Sequence, residues 1–208
     1  MIMSNANFAD SYIQELREKL AKAPDDAYLH YNLASAMIGK RNLAEAEAEL
    51  KRAVALDPEI AEAYVQLGGL AMHRGELDAC LEYNQKASTI RPRFAVPHGN
   101  MGFVYLQQHE TDKAIKSLKK ALSLDPQFIQ ALTSLGSAYL MEGDYDMCIF
   151  QSSKALEIEP HFGPAYNNIG LAYLEKGEHA KAVENFDKAQ ANGYEVEPSI
   201  LAEIEQYR

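Results

Sequence analysis

Residues Leu122–Leu132 read LSLDPQFIQAL, and the proline in their middle decides the fold. Pro126 belongs to an evenly spaced series at positions 24, 58, 92, 126 and 160. Proline biases the residue before it away from helix and cannot itself continue a helical turn. Prolines at a fixed spacing therefore punctuate copies of one helical unit.

Aligned on these prolines, the chain gives five units, 27–58, 61–92, 95–126, 129–160 and 163–192. Each holds two segments of roughly 13 residues with apolar or small side chains at i, i+3, i+4 and i+7, the pattern of paired amphipathic helices. In the second unit AEAYVQLGGLAMHR puts Tyr64, Leu67, Gly68 and Ala71 on one stripe, and Gly75 ends the helix. LDACLEYNQKASTI then presents Leu77, Cys80, Leu81 and Ala87 before Pro92 stops the chain.

These columns resemble the tetratricopeptide repeat (TPR) family, whose helix-turn-helix unit has the same length, about 34 residues. Small residues recur at Ala34, Gly68, Gly102, Gly136 and Gly170, each after an apolar one at Leu33, Leu67, Met101, Leu135 and Ile169. Tyr105, Tyr139 and Tyr173 form an aromatic column, and Ala53, Ala87, Ala121, Ala155 and Ala189 an alanine column. There are departures. The chain has no tryptophan, and Asn84 and Ser152 stand where Leu50, Leu118 and Phe186 are large and apolar, which predicts looser packing of those two second helices. The resemblance implies an all-α solenoid of five tandem units with a right-handed superhelical twist, forming one domain over residues 1–208.

Residues 8–22 carry Tyr12, Ile13, Leu16 and Leu20 on one stripe and read as a lone N-terminal capping helix. At the other end Asn192 and Gly193 form a helix stop. A final helix over 198–207 follows, with Ile200, Leu201, Ile204 and Tyr207 on its apolar face. Both ends therefore read as closed and the chain as complete.

The 47% apolar and 24% charged fractions are those of a folded globular chain. A net charge of −10 repels phosphate backbones and anionic lipid. The N-terminus lacks the basic and apolar regions of a signal peptide, and no long apolar run occurs, so the expected location is cytoplasmic, without membrane insertion. Cys80 and Cys148 stand two repeats apart, in the column otherwise filled by Ala46, Ala114 and Ala182. They read as small buried side chains rather than as a disulfide or metal pair.

No nucleophile elbow, phosphate loop, dinucleotide fingerprint or zinc-helix motif is present. None of His30, His73, His98, His109, His161 and His179 pairs with another at i+3 or i+4, so no metal and no cofactor is expected. His30 and His98 share a column with Tyr64 and Tyr166 and read as packing histidines. The chain reads as no enzyme.

The family resemblance implies binding instead, in a concave groove lined by the first helices. The column ahead of each apolar-small pair is Asn32, Gln66, Asn100, Ser134 and Asn168. Its carboxamides offer donors and an acceptor to the main chain of an extended peptide. Neighbouring positions carry Tyr31, Val65, Gly99, Phe103, Thr133 and Asn167 and no Lys or Arg, which argues against a carboxylate clamp. Gly99 beside Phe103 reads either as a dent for a partner's apolar side chain or as a close helix contact. Lys113, Lys116, Lys119 and Lys120 form a basic stripe on the second helix of the middle unit, read as a solvated outer face or a site for an acidic partner or self-association. The sequence thus predicts a non-enzymatic adaptor that takes a peptide segment or helix of a partner protein, with no nucleic acid. The alternative is a self-assembling scaffold that uses the groove, the convex face or the terminal helices.

Overall fold

The structure, a computed structural model, describes the backbone from residue 5 to 208 and side chains from residue 9 onward. Twelve α-helices and no strand are present among these residues: α1 (Asn5–Lys22), α2 (Ala27–Gly39), α3 (Leu43–Leu56), α4 (Ala61–His73), α5 (Leu77–Ile90), α6 (Ala95–Gln107), α7 (Thr111–Leu124), α8 (Ile129–Glu142), α9 (Tyr145–Ile158), α10 (Gly163–Glu175), α11 (His179–Ala191) and α12 (Pro198–Ile204). The fold is all-α and consists of consecutive antiparallel helix pairs.

The prolines act as their spacing predicts. Helices α1, α3, α5, α7 and α9 end at residues 22, 56, 90, 124 and 158, each just short of the next proline. The residue between is extended, with ψ of 99° at Asp57, 88° at Arg91, 95° at Asp125 and 94° at Glu159. This is the conformation the following pyrrolidine ring imposes.

The chain divides into two compact units, residues 1–97 and 98–208. In the first, α1 packs on α2, α2 on α3, α3 on α4 and α4 on α5. Its core is built on Leu16, Leu33, Met37, Leu50, Ile60 and Leu67. Ile13 and Leu20 of α1 join this core, whereas Tyr12, expected on the same stripe, is 40% exposed. In the second unit α7 packs on α8, α8 on α9, and α10 on both α8 and α9 as well as on α11. Leu118, Leu135 and Tyr139 centre one cluster, and Phe186, Val196 and Ile204 another. The final helix is shorter than expected, ending at Ile204 and giving way to a 3-10 turn over Glu205–Tyr207. The Tyr207 ring stacks on His179 with centroids 3.7 Å apart, and Arg208 forks onto Asp187 of α11 at 2.7 Å.

Within each helix pair the small residue of the first helix receives a side chain of the second. A Cβ on Gly102 would lie 2.5 Å from Leu118 Cγ, and one on Gly170 would lie 2.8 Å from the Phe186 ring. Asn84 and Ser152 occupy the same place against Gly68 and Gly136, at 2.5 and 2.6 Å. The expected looseness is not there: both are wholly buried. Asn84 gains its place because its Nδ2 donates to the Cys80 carbonyl at 2.8 Å, which satisfies a polar group that burial would otherwise penalise.

The turn inside each pair repeats one geometry. The N–H groups of Asn42, Glu76, Glu110, Asp144 and Glu178 reach back to the carbonyls of Met37, Ala71, Tyr105, Tyr139 and Tyr173, at 2.8–3.0 Å. Closing that bond needs a left-handed residue just before. Gly75, Gly143 and Gly177 supply it with φ of 73–78°, but Arg41 and His109 hold the same place at φ 59° and 57°.

The close contacts make the two kinds of glycine respond oppositely to a methyl group. Gly102→Ala should destabilise the chain by about 1–3 kcal/mol through overpacking. Gly69→Ala, where nothing stands within 4 Å of the new Cβ, should stabilise it by about 0.5–1 kcal/mol. Urea unfolding followed by circular dichroism measures both, and an undiminished stability of Gly102→Ala refutes the close-contact account.

Candidate binding surface

The amide column does less outward work than its composition suggests. In the first unit Gln66 of α4 donates to Ser35 Oγ of α2 at 2.8 Å. In the second, Asn168 of α10 donates to the Thr133 carbonyl of α8 at 2.9 Å and to Ser137 Oγ at 3.0 Å. Asn168 is 7% exposed. These amides join one first helix to the preceding one. Asn32, Asn100 and Ser134 remain partly exposed. The signal was in the sequence: in the preceding repeat Ser35 stands opposite Gln66 and Ser137 opposite Asn168, whereas the equivalent residue for Ser134 is Phe103.

The neighbouring column is turned toward the stack. Tyr31 and Val65 pack against the core of the first unit, and Thr133 and Asn167 are buried. Gly99 is no dent. A Cβ there would meet the Phe128 ring at 2.6 Å, so the glycine exists to admit that ring. Of the two readings of Gly99, the close helix contact is the one observed.

What is open lies one turn further along. In the second unit Phe103, Leu106, Gln107 and His109 face Ser134, Ser137 and Met141 across a cleft of about 310 Å³. Phe103 is 39% and Met141 46% exposed, apolar surface that water solvates poorly. The Ser137 hydroxyl donates to the Thr133 carbonyl at 3.3 Å and accepts from Asn168. Met141 was missed, although it continues the stripe of Ser134 and Ser137 at i+7 and i+4.

The remaining candidates have structural roles. Cys80 and Cys148 are free and wholly buried. Burial raises both thiols, Cys148 to about 12, although the neighbouring polar groups of Asn84 and Ser152 pull the other way. Neither is a nucleophile near neutral pH. His30 bridges Glu49 of α3 at 2.5 Å and the Pro24 carbonyl at 2.9 Å. His98 is held below its usual range by burial, with a contribution from the charge of Lys120. Among the described residues no group of three His, Cys, Asp or Glu side chains is placed to hold a metal ion, and no helix is long and apolar enough to cross a membrane.

Paired helices repeated at a constant period, closed by small-residue contacts, define the class of helical-repeat proteins whose surfaces act as interaction scaffolds. Tetratricopeptide repeat profiles match residues 9–59, 31–93, 95–128, 117–150 and 163–191, and the chain belongs to the tetratricopeptide repeat family. No curated protein matches it in sequence. Among solved structures it is similar to YrrB, a TPR protein with an unusual peptide-binding site, at 23% identity and a TM-score of 0.67, over 86% of this chain and 92% of that one. MamA matches at 28% identity and a TM-score of 0.66, over 77% and 94%. PilF of Pseudomonas aeruginosa matches at 19% identity and a TM-score of 0.76, over 87% and 83%.

Asn168→Ala removes two hydrogen bonds between α10 and α8 and should cost about 1–2 kcal/mol in urea unfolding. Neither cysteine should react with a thiol reagent in the folded chain at neutral pH, and both should react once it is unfolded. Rapid labelling of the native protein contradicts the burial described.

Proposed function

We propose that this chain is a protein-interaction adaptor that receives an extended segment or a helix of a partner protein on its first helices. The cleft of α6 and α8 supplies the main anchor. The observation that carries this reading is the pairing of exposed apolar surface at Phe103 and Met141 with the polar groups of Gln107, Ser134 and Ser137 in one cleft. Apolar surface provides the affinity and polar groups fix the orientation, the usual composition of a recognition site.

The amide column enters in a reduced form. Within the second unit Ser134 lines the cleft, while Asn168, like Gln66 in the first unit, ties its own helix to the preceding first helix. No lysine or arginine lines the cleft, so the interaction rests on apolar contact rather than on charge.

The test is affinity capture with the purified chain beside a Phe103→Glu, Met141→Glu variant whose helical content and unfolding midpoint match the wild type. A partner retained by the wild type and lost by the variant supports the cleft, and its retention should persist at about 0.5 M salt, where charge pairs are screened. A partner held equally by both removes the cleft from the interaction.

A further inference from the structure

The second helices α3, α5, α7, α9 and α11 carry one basic position in every copy: Arg52, Lys86, Lys120, Lys154 and Lys188, all exposed. One turn earlier, at i−4, the column reads Ala48, Glu82, Lys116, Phe150 and Glu184. An acid one turn ahead of a base is the favourable order for a helical ion pair. Glu184 and Lys188 make that pair at 2.6 Å. In α3, where alanine stands, Arg52 is neutralised instead by Asp25 at 2.9 Å.

In α7 and α9, both in the second unit, the acid itself is missing from that position. Lys116 replaces the acid in α7 and Phe150 replaces it in α9. Lys113 pairs with Glu110, but among the described residues no carboxylate pairs with Lys116, Lys119, Lys120 or Lys154. Phe150 is 50% exposed, and the Lys154 ammonium sits 4.4 Å above its ring centroid. Ile158, one turn beyond Lys154, is 38% exposed. Four lysines against one aspartate on α7, in a chain of net charge −10, mark a local reversal of sign.

We infer that the exposed faces of α7 and α9 dock a short acidic segment of a partner protein that carries an apolar side chain among its carboxylates. The carboxylates meet Lys116, Lys120 and Lys154, and the apolar side chain lies against Phe150. Charge complementarity selects this occupant. The chain as a whole is acidic and repels an extended polyanion such as nucleic acid or an anionic bilayer, whereas a short segment meets the lysines of α7 and Lys154 with Glu157 of α9 beside them. An exposed aromatic under a lysine supplies the apolar anchor that charge alone lacks. This surface is separate from the cleft of Phe103 and Met141, so either proposal stands if the other fails.

The probe is a fluorescein-labelled synthetic peptide of glutamate pairs flanking a single leucine, titrated at low salt and followed by anisotropy. The wild type should bind it. Lys116→Glu and Phe150→Glu, which install the acid seen in α5 and α11 on exposed helix positions, should each weaken binding by about tenfold or more. Phe103→Ala should leave it unchanged. Absent binding, undiminished binding by Lys116→Glu and Phe150→Glu, or loss through Phe103→Ala overturns the assignment, as does association with anionic vesicles in place of the peptide.

Discussion

The close contact inside each helix pair governs the rest of this structure. A glycine or alanine in the first helix lets a side chain of the second enter until it almost touches backbone, as Leu118 does at Gly102 and Phe186 at Gly170. At that distance dispersion contacts are dense and no room is left for adjustment. The tolerance for chemistry is nonetheless wide. Leucine, phenylalanine, asparagine and serine all fill the position, and Asn84, the most polar of them, finds its acceptor locally in the Cys80 carbonyl.

A stack built this way places competing demands on the first helices. The residues that face outward stand beside those that hold neighbouring first helices together, and the amide column sits on the border. Gln66 and Asn168 use their donors inside the stack because Ser35 and Ser137 stand where an acceptor is needed. Where that earlier position holds a phenylalanine instead, as it does for Ser134, it offers no hydroxyl. Phe103 then adds apolar surface beside Ser134 and Met141. Departures from the repeat pattern thus locate the candidate cleft better than the pattern does.

The second helices show the same logic. Their inward columns of alanine, cysteine and large apolar residues repeat because packing is unforgiving. Their outward columns answer only to solubility and to partners. Salt bridges across exposed positions contribute about 0–1 kcal/mol, so the fold loses little when Lys116 or Phe150 interrupts them. Such positions are free to change for reasons other than stability.

The sequence by itself determined the boundaries and pairing of the repeat helices, though not the ends of the two terminal ones, because evenly spaced prolines and the columns they align act locally, through backbone sterics and amphipathic periodicity. It also marked the two cysteines as small buried side chains. Only the tertiary structure decided which polar and small residues face a neighbour and which face solvent. Gly99 is covered by Phe128, the residue that leads into α8, and Asn168 is engaged by Ser137 of the preceding repeat. Those partners belong to the next or the preceding helix pair. Helical periodicity reports the face of one helix, but contact between helices depends on their packing in three dimensions, which a one-dimensional pattern does not carry.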